Sequence, residues 1–204
     1  RRDALNQALS VIDIAKEAEP TNADVLAMRA FVLSWLSNPS LSGEMAEDYR
    51  NQAEAEALSA IQLDSDNALA KAYYAEVLID QYKLVQAQDY IAQARVSGED
   101  LMDVRRIQAY IYEVLGEYNL AIEWYQKAIE VTPNLTFLYI RTGVLYRFLQ
   151  QYPIALEFFA KAVSLNQQLG IQDPIPYMAI ANTYIRDGEA MAASRNAYRA
   201  LEIN

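Results

Sequence analysis

The stretch Gly116–Pro133, GEYNLAIEWYQKAIEVTP, decides how this chain is read. A Gly116-Glu117-Tyr118 turn opens it, and Ala121, Tyr125, Ala128 and Pro133 follow at spacings of four, three and five residues. A step of 34 residues from Ala121 lands on Ala87 behind it and Ala155 ahead of it. The same step takes Ala128 to Ala94 and Ala162, and a third small-residue column runs through Ala75, Ala109 and Gly143. Three columns that agree on one period identify an internal repeat, the signature of a stacked array.

The irregular intervals locate insertions. Beyond Ala162 and Gly143 the next matches are Ala200 and Ala181, each 38 residues on, so about four extra residues sit at Gly170–Asp173. Ala15 to Ala60 and Ala30 to Ala75 are each 45 apart, and the surplus of eleven falls between Ala30 and Ala53. There Ser37–Gly43, SNPSLSG, has the Pro, Gly and Ser chemistry that interrupts helices.

Around these columns the apolar residues recur every three to four positions, and strict alternation is absent, so the chain reads as all-α. Eleven helices are expected. A half repeat occupies residues 1–20, and five repeats follow at 23–66, 68–101, 102–135, 136–169 and 174–204, about five and a half in a single array. Thr21-Asn22 and Asp64–Asn67 are expected to cap the helices that follow them. Tyr82 replaces the usual inter-helix glycine in the second full repeat. The chain opens Arg1-Arg2 in mid-repeat, which reads as a piece of a longer protein.

The 204 residues carry a formal net charge of −10. Residues 1–100 hold 8 basic and 17 acidic side chains and residues 101–204 hold 9 and 10, giving −9 and −1. Nucleic acid is not an expected partner, because its backbone calls for clustered Lys and Arg. The absence of cysteine and histidine excludes disulfides, thiolate nucleophiles, imidazole bases and Cys/His zinc sites. The carboxylates are scattered and no Gly-rich phosphate loop exists, so no catalytic, metal or cofactor site is expected and the chain reads as a non-enzyme. No apolar run approaches the roughly 20 residues of a membrane span, and no signal peptide is visible. The reading is a soluble protein of open compartment.

The repeat resembles the tetratricopeptide repeat, whose pattern is W-x2-L-G-x2-Y…A-x3-F…P over 34 residues. Thr142-Gly143-x2-Tyr146…Ala155-x3-Phe159 is similar to it, with Tyr139 in the tryptophan's place. Ala109-x2-Tyr112…Ala121-x3-Tyr125…Pro133 is similar too, with Arg105 and Gln108 replacing Trp and Leu. The resemblance implies a right-handed α-solenoid whose first helices line a concave groove for a peptide or a helix. Carried over position by position, the groove starts with Asp24, Ala27, Phe31 and Trp35, then Leu69, Ala72, Glu76 and Asp80. Asp103, Arg106, Tyr110 and Glu113 follow, then Phe137, Ile140, Val144, Arg147 and Phe148, then Ile175, Met178, Asn182 and Arg186. A subfamily that grips chaperone carboxylates uses a lysine and asparagine pair. Here those positions hold Ala72, Glu76, Arg106 and Tyr110, and Glu76 would repel a carboxylate.

The residues expected to meet a partner are Arg106, Tyr110, Phe137, Ile140, Val144, Arg147, Phe148, Met178, Asn182 and Arg186. Phe137, Ile140, Val144 and Phe148 form a helical stripe, while Tyr139, Gly143 and Tyr146 already occupy the inward columns. Arg106, Arg147 and Arg186 either build a basic ladder beside that stripe or pair with Asp103, Glu113 or Asp187. The expected function is a protein–protein interaction scaffold for a segment with apolar anchors and acidic residues. Two alternatives stay open: a self-association or spacer module, dimerising through uncapped terminal helices, and a regulatory segment fused to an enzyme or a sensor.

Overall fold

The small-residue columns become the places where helices cross. The computed structural model describes residues 2–203. Ala53, Ala87, Ala121, Ala155 and Ala193 are all buried, and so are Ala60, Ala94, Ala128, Ala162 and Ala200 one helical turn pair further on. A methyl group at a crossing lets two backbones approach, and the partner helix fills the remaining groove with a large side chain. Tyr125, Phe159 and Ile91, each four residues beyond an alanine of the first column, are fully buried in that role.

Among the described residues the elements are all helical. They run α1 (Arg2–Ala18), α2 (Ala23–Leu36), α3 (Pro39–Ser42), a 3-10 turn (Gly43–Met45), α4 (Ala46–Leu63), α5 (Ala68–Asp80) and α6 (Leu84–Gly98). Then come α7 (Met102–Val114), α8 (Tyr118–Val131), α9 (Thr136–Phe148), α10 (Tyr152–Gln168), α11 (Ile175–Asp187) and α12 (Ala190–Ile203). The eleven expected helices are all present. The difference lies in the Ser37–Gly43 loop, which closes into the single turn α3 with Pro39 at its first position and the Asn38 side chain accepting from the Ser40 N–H.

Local chemistry sets the helix ends. The Asn22 side chain accepts from the N–H groups of Asp24 and Val25, and the Asn67 side chain accepts from Ala70, each answering backbone donors that a first turn leaves open. The hairpin turns share one backbone device. Tyr82, Gly116, Gln150 and Gly188 all take positive φ, at 60°, 79°, 60° and 85°. In each case the following N–H returns 2.9 Å to the carbonyl five residues back: Lys83 to Leu78, Glu117 to Tyr112, Gln151 to Tyr146 and Glu189 to Tyr184. This left-handed cap closes the first helix and aims the chain into the second.

The contacts divide the chain into two compact units, Arg1–Ile107 and Gln108–Asn204. In the first, α2 packs on α4 and α5 on α6, with α1 against α2 and α5 against both α2 and α4. In the second, α9 packs on α10 and α11 on α12, with α8 against α9, α10 against α11 and α9 touching α11. Within it Gly143 of α9 lies so close to the Phe159 ring of α10 that an added Cβ would stand 2.6 Å from Cε1.

Candidate functional site

In the first unit the expected groove positions are filled by their own side chains. Phe31 of α2 stacks on Tyr73 of α5 with ring centroids 4.9 Å apart, and Trp35 meets Phe31 edge-on at 6.0 Å. The Arg106 guanidinium caps the Phe31 ring at 5.5 Å and donates to both Glu76 oxygens at 2.7 and 2.8 Å. Asp103 accepts from the remaining side of Arg106 at 2.9 Å and from the Tyr73 hydroxyl at 3.0 Å. Burial alone would make Arg106 easier to deprotonate, but the two carboxylates reverse this and hold its pKa above the usual range.

Two expectations are corrected by this arrangement. Arg106 is 3% exposed and fully engaged, so it offers no free charge to a ligand. Glu76, 6% exposed, is bound to Arg106 and does not stand ready to repel a carboxylate. A paired buried charge is a structural element, since leaving either partner alone in that interior is strongly unfavourable.

The second unit holds a similar network at a position that sequence reasoning passed over. Arg141 of α9 reaches Glu113 at 2.6 Å, and the same carboxylate accepts from the Tyr125 hydroxyl at 2.9 Å. Its guanidinium also lies over the rings of Tyr110 and Phe137, at 5.4 and 6.0 Å. Tyr110 and Phe137, both half-buried, are thus fixed by a cation between them. Burial pushes the Tyr125 phenol above its ordinary range, with Glu113 adding to the effect and Arg141 opposing it.

The stripe along α9 is graded in depth. Ile140 and Val144 are half-buried and pack beside the cluster of Ala155, Phe159 and Ala179. Phe148, at the end of the helix, is 51% exposed and stacks on Tyr118 at 5.5 Å. Met178 of α11 is 52% exposed, and Asn182 and Arg186, further along the same helix, are exposed as well.

Arg147 joins the two helices. Its guanidinium donates to the Ala179 carbonyl at 3.4 Å and lies over the Phe159 ring at 6.0 Å. Burial and then the nearby charge of Arg186 lower its pKa from the ordinary arginine value. Among the described residues no carboxylate stands within 4.0 Å of either arginine. Arg186 is exposed, so water and salt weaken this like-charge effect on the half-buried Arg147. Also among the described residues, no group of three or more His, Cys, Asp or Glu is placed to hold a metal ion, and no helix is long and apolar enough to cross a membrane.

Residues 107–135 match the family model of the tetratricopeptide repeat. The chain is similar to human IFIT1, solved as a dimer with PPP-AAAA, at 22% identity and a TM-score of 0.80, over 98% of this chain and 46% of that one. It is similar to MamA at 18% identity and a TM-score of 0.64, over 78% of this chain and 91% of that one. It is also similar to YrrB, described as a TPR protein with an unusual peptide-binding site, at 20% identity and a TM-score of 0.61, over 97% and 94% of the two chains. At these identities the likeness is one of fold, and the fold is that of a tetratricopeptide-type helical array, in keeping with an interaction scaffold.

Proposed function

We propose that α9 and α11 present a docking surface for a peptide or helix that brings apolar anchors and an acidic residue. Phe137, Ile140, Val144, Phe148 and Met178 supply the apolar side, and Asn182 a polar contact at its edge. Arg147 and Arg186 receive the acid, with Tyr110 held in place by Arg141. The single observation behind this reading is the Arg147–Arg186 pair without a carboxylate. A ligand carboxylate near either arginine would offset the like charge, and a guanidinium suits its planar oxygens. Preformed helices bear this surface, so little ordering is needed on binding. The likeness to YrrB, with its peptide-binding site, supports the same reading.

A ligand like the PPP-AAAA of the IFIT1 complex is less well supported here. The net charge is −10, and Arg29, Arg106 and Arg141 are committed to carboxylates within the protein.

One observation favours a second reading, self-association. Val11 and Ile14 on α1 and Met191, Tyr198 and Leu201 on α12 are largely exposed apolar side chains. Two measurements separate the readings. Fluorescence anisotropy against peptides pairing Leu or Phe with Glu, and against the same peptides with Lys for Glu, should show saturable binding of the acidic set alone. Equal binding of both sets refutes the arginine role. Sedimentation across a concentration series should show a monomer; a stable dimer with no peptide binding selects self-association.

A further inference from the structure

The insertion that interrupts the repeat period builds a cavity of its own. Between the end of α10, the Gly170–Asp173 connection and the start of α11 lies a partly open space of about 230 Å³. Its walls include Val163, Ile171, Tyr177 and Ile203, with Asn166 and Asp173 as polar lining. None of the residues assigned to the α9–α11 docking surface lines it, so a ligand here is independent of the docking proposed there.

Asn166 is the unusual member. It is 5% exposed, and its Oδ1 accepts from the Thr136 hydroxyl at 2.9 Å. Its backbone carbonyl is taken by the Ile171 N–H at 2.8 Å. The side-chain Nδ2 is buried and has no hydrogen-bond partner. A buried amide donor without an acceptor loses its hydration with nothing in return, which native interiors avoid. Exchanging the amide oxygen and nitrogen would satisfy Thr136 equally and leave the oxygen as the orphan instead. Either way one end of this amide lacks a partner and is closed off by the cavity wall, so a ligand reaches it by displacing part of that wall. A peptide group provides both kinds, a carbonyl and an N–H.

Charge decides between a neutral and an anionic ligand. Asp173 lines the same space, and one of its oxygens accepts from the Ile175 N–H at 3.0 Å. Among the described residues no cation lies within 4.0 Å of its carboxylate, so a ligand carboxylate would meet it as a like charge. We propose that this cavity takes one aliphatic residue of a neutral peptide segment. The ligand's peptide carbonyl accepts from Asn166, its N–H donates to Asp173, and its side chain lies against Val163, Ile171 and Ile203. The volume agrees: it exceeds several waters at about 30 Å³ each and suits a single residue.

The test is an NMR titration of the whole chain with two probes, N-acetyl-leucine methylamide, which is neutral, and N-acetyl-leucine, which carries a carboxylate. The neutral probe should shift the Asn166 side-chain NH2 signals saturably and bind about tenfold more tightly than the anionic one, the effect of one hydrogen bond and a like-charge contact. Asp173→Asn should narrow that gap. Ile171→Glu, at an exposed loop position, should keep the fold, as its spectrum away from the cavity would show, and abolish binding. Unmoved Asn166 signals, equal affinity for both probes, or identical shifts in Ile171→Glu would each overturn the proposal.

Discussion

Arg106 and Glu76 meet through two parallel hydrogen bonds of 2.7 and 2.8 Å, from the first helix of one hairpin to the first helix of the hairpin before it. Both side chains are almost wholly buried, so the pair acts as a unit. Removing one partner leaves an uncompensated interior charge. Arg106→Met or Glu76→Leu alone should lower stability by about 3–5 kcal/mol, while the double variant Arg106→Met, Glu76→Leu should lose less than the sum. Urea denaturation of the four proteins measures this coupling.

Gly143 tolerates no larger residue while Phe159 stays where it is. Gly143→Ala would set its Cβ 2.6–2.9 Å from three atoms of the ring. A loss of about 1–3 kcal/mol is expected from overpacking, partly recovered when Phe159→Leu is added. Thermal unfolding of the single and double variants provides the comparison.

The turn column holds two residues that pay for a conformation glycine takes freely. Tyr82 and Gln150 both sit at φ 60°. Gln150→Gly should therefore stabilise the chain by about 1 kcal/mol, and Gly116→Gln should destabilise it by a similar amount. Opposite shifts in the unfolding midpoint are the expected outcome.

Two buried phenols make stability depend on alkaline pH. Burial raises the Tyr73 pKa, with the Asp103 charge adding to it, and burial likewise raises that of Tyr125. An unfolded tyrosine releases its proton near pH 10, whereas these two hold theirs in the fold. The stabilisation they give is complete below about pH 10 and falls as pH rises above it. Denaturant midpoints followed from about pH 8 to about pH 11 should decline at the alkaline end, and Tyr125→Phe should flatten the decline.

What the sequence disclosed was whatever the repeat period governs. Ala121, Ala128 and their counterparts from α4 onward recur because each crossing has room for one methyl group, and these are all buried, whereas Ala15 of α1 is half-buried. The turn position was legible at Tyr82 as a substituted glycine, and its positive φ follows from that register. The insertion at Gly170–Asp173 was legible as a break in period, but the cavity it shapes depends on side chains from three helices. Arg106 was placed among the ligand-facing residues because one residue type serves equally well facing a ligand or a neighbour; of its two open readings, the fold realises the pairing with Asp103. A usable signal existed: Glu76 and Arg106 lie 30 residues apart, as do Tyr73 and Asp103, one helical turn short of the 34-residue period. That offset places them side by side on successive first helices. Arg141 was missed because its partner Glu113 falls outside this spacing.

The docking role of the α9–α11 surface is the central claim, and a charge exchange tests it most directly. The variant Arg147→Glu, Arg186→Glu should bind a Leu/Phe peptide bearing Glu about tenfold or more weakly, since hydrogen bonds to charged groups are lost. It should bind the matched peptide bearing Lys more tightly than the parent protein does. Unchanged affinity for the acidic peptide in a folded variant would contradict the account.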